Sequence, residues 1–112
     1  MGDEARDRAL LLDMLTYAEE ARTILGSRAF ETFIKDRLRV LALERTLEVV
    51  GEAARQVSQV RKDQVGDIPW KLLNGQRNAL AHQYGKVDHF QLYRTASEDL
   101  PGLIVVLKQI LS

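Results

Sequence analysis

Four side chains able to do chemistry fall within eight residues: Arg77, Asn78, His82 and Tyr84, in the stretch Arg77-Asn78-Ala79-Leu80-Ala81-His82-Gln83-Tyr84. Three of them suit work on a phosphodiester. An arginine offers a planar fork of donors for phosphate oxygens. A histidine gives and takes protons near neutral pH, and an amide beside either group can orient it. Tyr84 adds a phenol two residues beyond the histidine.

The spacing restricts how these groups can meet. Successive helical residues turn by about 100°, so Asn78 and His82 share one stripe and Arg77 and Tyr84 another. Arg77 and His82 then stand about 140° apart on an unbroken helix. They can address one phosphate if the helix loosens near His82, where Gly85 is a natural stop. A second copy of the chain, related by a two-fold axis, would also complete the site.

The stretch belongs to a helix expected from Trp70 to about Gln83. Asp67-Ile68-Pro69-Trp70 opens it, with Pro69 in the first turn, where a missing N–H costs little. Other helices must hold it in place. The first runs from about Asp3 to Leu25 and ends at Gly26. Its Leu11, Met14, Ala18, Ala21 and Leu25 step by three and four, the mark of one buried stripe. A short helical piece from Arg28 to Ile34 follows. The next helix spans about Asp36 to Val57, with Val40, Leu43, Leu47, Val50, Ala54 and Val57 on one seam. Leu38, Leu41 and Val49 lie off that seam, so two-sided burial is expected, the second side being a candidate dimer surface. Gln59 to Gly66 is polar and reads as a loop.

Gly85-Lys86-Val87 should turn the chain. Asp88, with Gln91 three residues later, resembles a capping box at the start of the last helix. Pro101 should break or kink that helix, and Leu103, Ile104, Val106, Leu107, Ile110 and Leu111 form a final apolar face. There is no repeat, low-complexity segment or strand pattern. The expected fold is all-α: one domain over residues 1–112, an antiparallel bundle of four main helices plus short helical pieces.

Composition narrows the function. Sixteen basic and sixteen acidic side chains cancel. That balance disfavours a general electrostatic binder of nucleic acid and leaves room for a local basic groove. The absence of cysteine removes disulfides, thiolate nucleophiles and Cys-based zinc sites. The two histidines lie in no ligand-like spacing, so neither a metal site nor another cofactor is expected. The longest aliphatic run, Leu103 to Leu107, is too short to span a membrane. No charged-then-apolar leader opens the chain. The expectation is a cytoplasmic protein without membrane contact.

Asp67-Ile68-Pro69-Trp70, Arg77-Asn78, His82-x-Tyr84, Val87-Asp88 and Asp99-Leu100-Pro101 together resemble the HepT-like family of HEPN domains, and Gly51-Glu52-Ala53-Ala54 is similar to its second-helix signature. The likeness covers nearly the whole length. It implies a dimer of helical bundles acting on RNA as a metal-independent endoribonuclease toxin, with a minimal nucleotidyltransferase as antitoxin. Carried over by position, it makes Arg77 and His82 the catalytic pair and Asn78 the supporting polar residue. Tyr84 matches the tyrosine that the antitoxin can adenylylate. Gln83 departs from the glycine often found there, which removes no reacting group but changes the bulk beside Tyr84. The chemistry agrees with the likeness. RNA carries its own nucleophile, the 2′-OH, so His82 could move a proton while Arg77 stabilises charge on the phosphorane.

Taken singly, each residue has a plainer reading. Arg77 could be a surface ion pair, His82 a hydrogen-bonded helix-end residue, Asn78 a solvated polar residue, and Tyr84 a packed ring with its hydroxyl in water. In this spacing and with these flanks the catalytic reading is preferred. His89 belongs to no motif, and Trp70 is expected to anchor its helix to the core rather than to contact a base. An alternative of another class stands beside the nuclease: a non-catalytic substrate- or nucleotide-binding subunit of a nucleotidyltransferase complex.

Overall fold

Leu11, Met14, Ala18, Ala21 and Leu25 are all buried along one side of α1 (Gly2–Leu25). The chain is described by a computed structural model covering the backbone of residues 2–82 and 87–112, and the side chains of those residues except Ala81 and His82. Gly26 ends α1 with φ of +61°, and its N–H donates to the carbonyl of Arg22 at 2.8 Å. A side chain at that φ would be strained, which is why glycine terminates this helix.

The short α2 (Phe30–Phe33) then leads to α3 (Arg37–Gln56). Asp36 caps α3 by accepting from the Arg39 N–H at 3.2 Å. Val40, Leu43, Leu47, Val50 and Ala54 are buried along α3, with Val57 just past its end, as the seam requires. Each large apolar side chain removed from water in this way contributes about 1.5–3 kcal/mol. The two long helices run antiparallel: Arg6 donates to Gln56 at one end, and Arg39 to the carbonyl of Ile24 at the other. On the off-seam flank, Leu38 is 79% exposed and Leu41 43% exposed, while Val49 is half-buried. A single chain therefore leaves that flank largely uncovered.

The polar run after α3 is not a loop throughout. Gln59–Gln64 forms a short helix, α4, because Ser58 caps it, accepting from the Arg61 N–H at 3.2 Å. Ser58 is itself fixed by Asp7 of α1, whose carboxylate accepts from the Ser58 hydroxyl at 2.6 Å and from its N–H at 2.8 Å. Burial alone would raise the Asp7 pKa. The two Ser58 hydrogen bonds, with help from Arg6 and Arg61, bring it below the ordinary value instead.

Helix α5 (Trp70–His82) packs antiparallel on α3. The sequence expectation extended it to Gln83, which lies outside the described residues, as does the Gly85 stop with Lys86. Asp88 caps α6 (His89–Arg94), accepting from the Gln91 N–H at 3.0 Å. A π-turn over Thr95–Asp99 joins α6 to α7 (Leu100–Leu111). Pro101, expected to break or kink the last helix, sits inside the first turn of α7, and the helix carries on past it. The misfit is taken up upstream. Proline lacks an N–H and its ring crowds the carbonyl four residues back, so the preceding turn widens. Arg22 of α1 donates to the Ala96 carbonyl in that turn at 3.0 Å. The expected piece at Arg28 to Ile34 is helical only over Phe30–Phe33, and Tyr93 of α6 donates to the Arg28 carbonyl at 2.8 Å.

Helices α1, α3, α5 and the continuous α6–α7 unit thus form the antiparallel all-α bundle, with α2 and α4 as the short pieces. No strand occurs among the described residues. None of the described helices is long and apolar enough to cross a membrane.

Candidate active site

The position of Arg77 is set by how α5 is anchored and how closely it approaches α3. Pro69 and Trp70 open α5, and the Trp70 indole N–H donates to the Val65 carbonyl at 3.0 Å. The ring packs against the core while Lys62 lies over it, 5.6 Å from the centroid. Trp70 is thus an anchor, as expected. One turn later Leu73 is buried, and the next turn brings Arg77 against Gly51 of α3. A methyl at Gly51 would overlap the Arg77 Cβ and come within 3.0 Å of the Leu73 carbonyl. Glycine is required there to admit α5.

The adjacent residue on α3 grips the arginine. Nε of Arg77 lies 2.8 Å from Oε2 of Glu52. That N–H is not aimed at the oxygen closely enough for a hydrogen bond, so the carboxylate holds the guanidinium mainly by charge. Nη1 of Arg77 donates to Oδ1 of Asn78 at 3.1 Å. The Arg77 side chain is 24% exposed. Nε faces the carboxylate and one hydrogen of Nη1 is used by Asn78, so among the described residues the second Nη1 hydrogen and both of Nη2 are left for a ligand.

Glu52 is kept ionised. Arg55 donates to its Oε1 at 2.8 Å and Gln56 at 3.1 Å. Those two hydrogen bonds, opposed by burial and assisted by the charges of Arg55 and Arg77, hold its pKa down to about 2. The carboxylate facing Arg77 is therefore a fixed negative charge across the neutral range.

Of the residues singled out from sequence, Arg77 and Asn78 are brought together. His82 is the last described residue of α5, and its side chain lies outside the described residues; so does the whole of Tyr84. Glu52 is the residue beside Arg77 that spacing did not reveal. It stands in the Gly51-Glu52-Ala53-Ala54 signature, but nothing local links it to an arginine 25 positions later. Among the described residues, no three His, Asp or Glu side chains are grouped to hold a metal ion.

Comparison with known proteins points one way. Residues 14–110 match the family described as Ribonuclease HepT-like. The chain is 32% identical over 96 residues to the Methanocaldococcus jannaschii protein named "Putative RNase MJ1216", covering 86% of this chain and 79% of that one. It is 32% identical over 83 residues to "Putative RNase TTE0752" of Caldanaerobacter subterraneus subsp. tengcongensis, covering 74% of each. It is also 36% identical over 74 residues to "Probable ribonuclease HepT" of Thermococcus cleftensis, covering 66% of this chain and 67% of that one. No solved structure matches.

Proposed function

The chain belongs to the HepT-like ribonuclease family and is by that membership a ribonuclease; from that premise we propose that it is the toxin of a toxin–antitoxin pair, a metal-independent endoribonuclease using Arg77 and His82. The observation that carries the reading is the grip on Arg77. Glu52 behind Nε and Asn78 on Nη1 hold a guanidinium in one pose on the helix that also carries His82. Preorganised charge of this kind lowers a barrier because it needs no rearrangement as the transition state forms.

The reaction balances without an added reagent. The 2′-oxygen of RNA bonds to the adjacent phosphorus as its proton passes to a base. The bond from phosphorus to the 5′-oxygen breaks, and that oxygen takes a proton from an acid. The products are a 2′,3′-cyclic phosphate and a 5′-OH. His82 serves in proton transfer, and Arg77 meets the charge on the phosphorane. In a two-fold homodimer, two copies of the motif facing each other supply acid and base.

Silencing falls to a minimal nucleotidyltransferase. The Tyr84 phenolate attacks the α-phosphorus of ATP, pyrophosphate leaves, and AMP remains on the ring. The added phosphodiester places negative charge near Arg77, where it repels an incoming RNA backbone. The test is growth. Expressed alone, the chain should arrest cells, and co-expression of the cognate nucleotidyltransferase should relieve the arrest and add the mass of AMP to the Tyr84 peptide. Tyr84→Phe should remain toxic beside the partner. Relief of Tyr84→Phe equal to wild type, with AMP on neither, would replace modification with steric masking. A chain harmless in every combination would remove the toxin reading.

A further inference from the structure

Although the chain as a whole is neutral, its charge is unevenly spread over its grooves. The groove containing Arg77, between α1 and α3, is closed around by Asp13, Glu48 and Glu52 against Arg45 and Arg77. It carries more negative than positive charge and would not draw in a polyanion. The groove on the other side of the Glu52–Arg55 pair is the reverse. It measures about 640 Å³, with Arg55, Lys62 and Lys71 facing a single carboxylate, Asp63. Its balance is positive, opposite in sign to that of the groove holding Arg77.

The two grooves adjoin at one carboxylate. Arg55, on the wall of the basic groove, bonds to the Glu52 that holds Arg77. Along α5, Lys71, Asn74 and Asn78 recur at intervals of three and four, so they form one polar stripe, and all three are exposed. Lys71 to Asn78 spans seven residues, on the order of 10 Å.

From this charge distribution and its continuity with Arg77 we infer that the groove formed by Arg55, Lys62, Lys71 and Asn74 is a subsite for the RNA strand flanking the cleaved bond. It rests on the ribonuclease reading and adds the route by which substrate arrives. The groove engages phosphates, not bases. Lys62 covers the exposed face of Trp70 and donates to the Arg55 carbonyl at 3.3 Å, so the indole forms the floor and offers no free ring for stacking. Contacts of this kind hold the strand in register and carry no sequence information.

Trp70 is the chain's single tryptophan, so its emission reports on this groove alone. The probe is a short single-stranded oligodeoxynucleotide, which has the phosphates but lacks the 2′-OH and cannot be cleaved by transesterification. Titrating it into the full chain should change Trp70 emission, with an affinity that falls as salt rises. The double variant Lys62→Ala/Lys71→Ala should bind about tenfold more weakly and with a shallower salt dependence. On RNA it should show raised KM with kcat unchanged. Lys71→Glu is the companion variant, since Lys71 is exposed and its replacement disturbs no packing. It should weaken binding further while circular dichroism melting stays as in wild type. An unchanged Trp70 signal on saturation, or wild-type affinity and KM in both variants, would overturn the subsite. So would a Lys71→Glu defect confined to binding a protein partner. The emission titration does not depend on cleavage, so a groove that binds in a chain that never cuts RNA would count against the nuclease reading and not against the groove.

Discussion

Replacing Glu52 by Gln keeps the shape of the side chain and removes the charge that faces Nε of Arg77 at 2.8 Å. Among the described residues, the remaining tether on Arg77 would be Asn78. Glu52→Gln should lower kcat by roughly tenfold or more, short of the ~100- to 1000-fold loss that follows removal of a transition-state donor itself, with KM little changed. Glu52→Asp retains the charge on a shorter arm and should recover part of that kcat. A purely structural residue would lower the melting temperature without separating kcat from KM. The pH dependence has a definite sign. The Glu52 pKa is depressed from 4.5 to about 2 in the folded chain. Its stabilising contribution is therefore fully present above about 4.5 and is lost as pH falls through about 2. The melting-temperature gap between wild type and Glu52→Gln should hold near neutral pH and narrow across that acid window. None of this was legible in the sequence, because the Glu52–Arg77 pair joins two helices. Arg77 and Asn78 were legible, because adjacent residues stay neighbours whatever the fold.

Among the helices, two glycines give opposite predictions. Gly51→Ala would drive a methyl into the Arg77 Cβ and toward the Leu73 carbonyl. Overpacking of this kind costs about 1–3 kcal/mol, so the melting temperature should fall, and activity should fall with it as α5 is pushed off α3. Gly75 lies inside α5 with nothing within 4 Å of a Cβ placed there. Gly75→Ala should stabilise the chain by about 0.5–1 kcal/mol through backbone entropy. Thermal melts of both variants check the pair; a stabilising Gly51→Ala would contradict the close approach that positions Arg77. The stripes of α1 and α3 are readable from sequence because each packs one continuous face, which imposes a period of three and four on the apolar residues. Helix α4 is not readable in that way. It buries no residue, so periodicity has nothing to report, and its start depends on Asp7 holding Ser58 from 51 positions away. The π-turn at Thr95–Asp99 is likewise set by the conflict between Pro101 and a helix that packing keeps continuous.

For the whole molecule, the open question is how many chains make one site. The flank of α3 around Leu38 and Leu41 is exposed in the single chain, and an unbroken α5 would set Arg77 and His82 about 140° apart. The exposed flank and that expected angle are our grounds for proposing a two-fold homodimer. Light scattering at micromolar concentration should give the dimer mass. Leu38→Lys with Leu41→Lys should shift it toward monomer while leaving helical content unchanged, and a monomeric wild type would sink this assembly. The most direct test of the central claim is the chemistry of the RNA ends. Purified wild-type chain, incubated with single-stranded RNA in EDTA, should yield fragments bearing a 2′,3′-cyclic phosphate and a 5′-OH by mass spectrometry, and Arg77→Ala and His82→Ala should yield none. Fragments with 5′-phosphates, loss of cleavage in EDTA, or undiminished cutting by His82→Ala would contradict it.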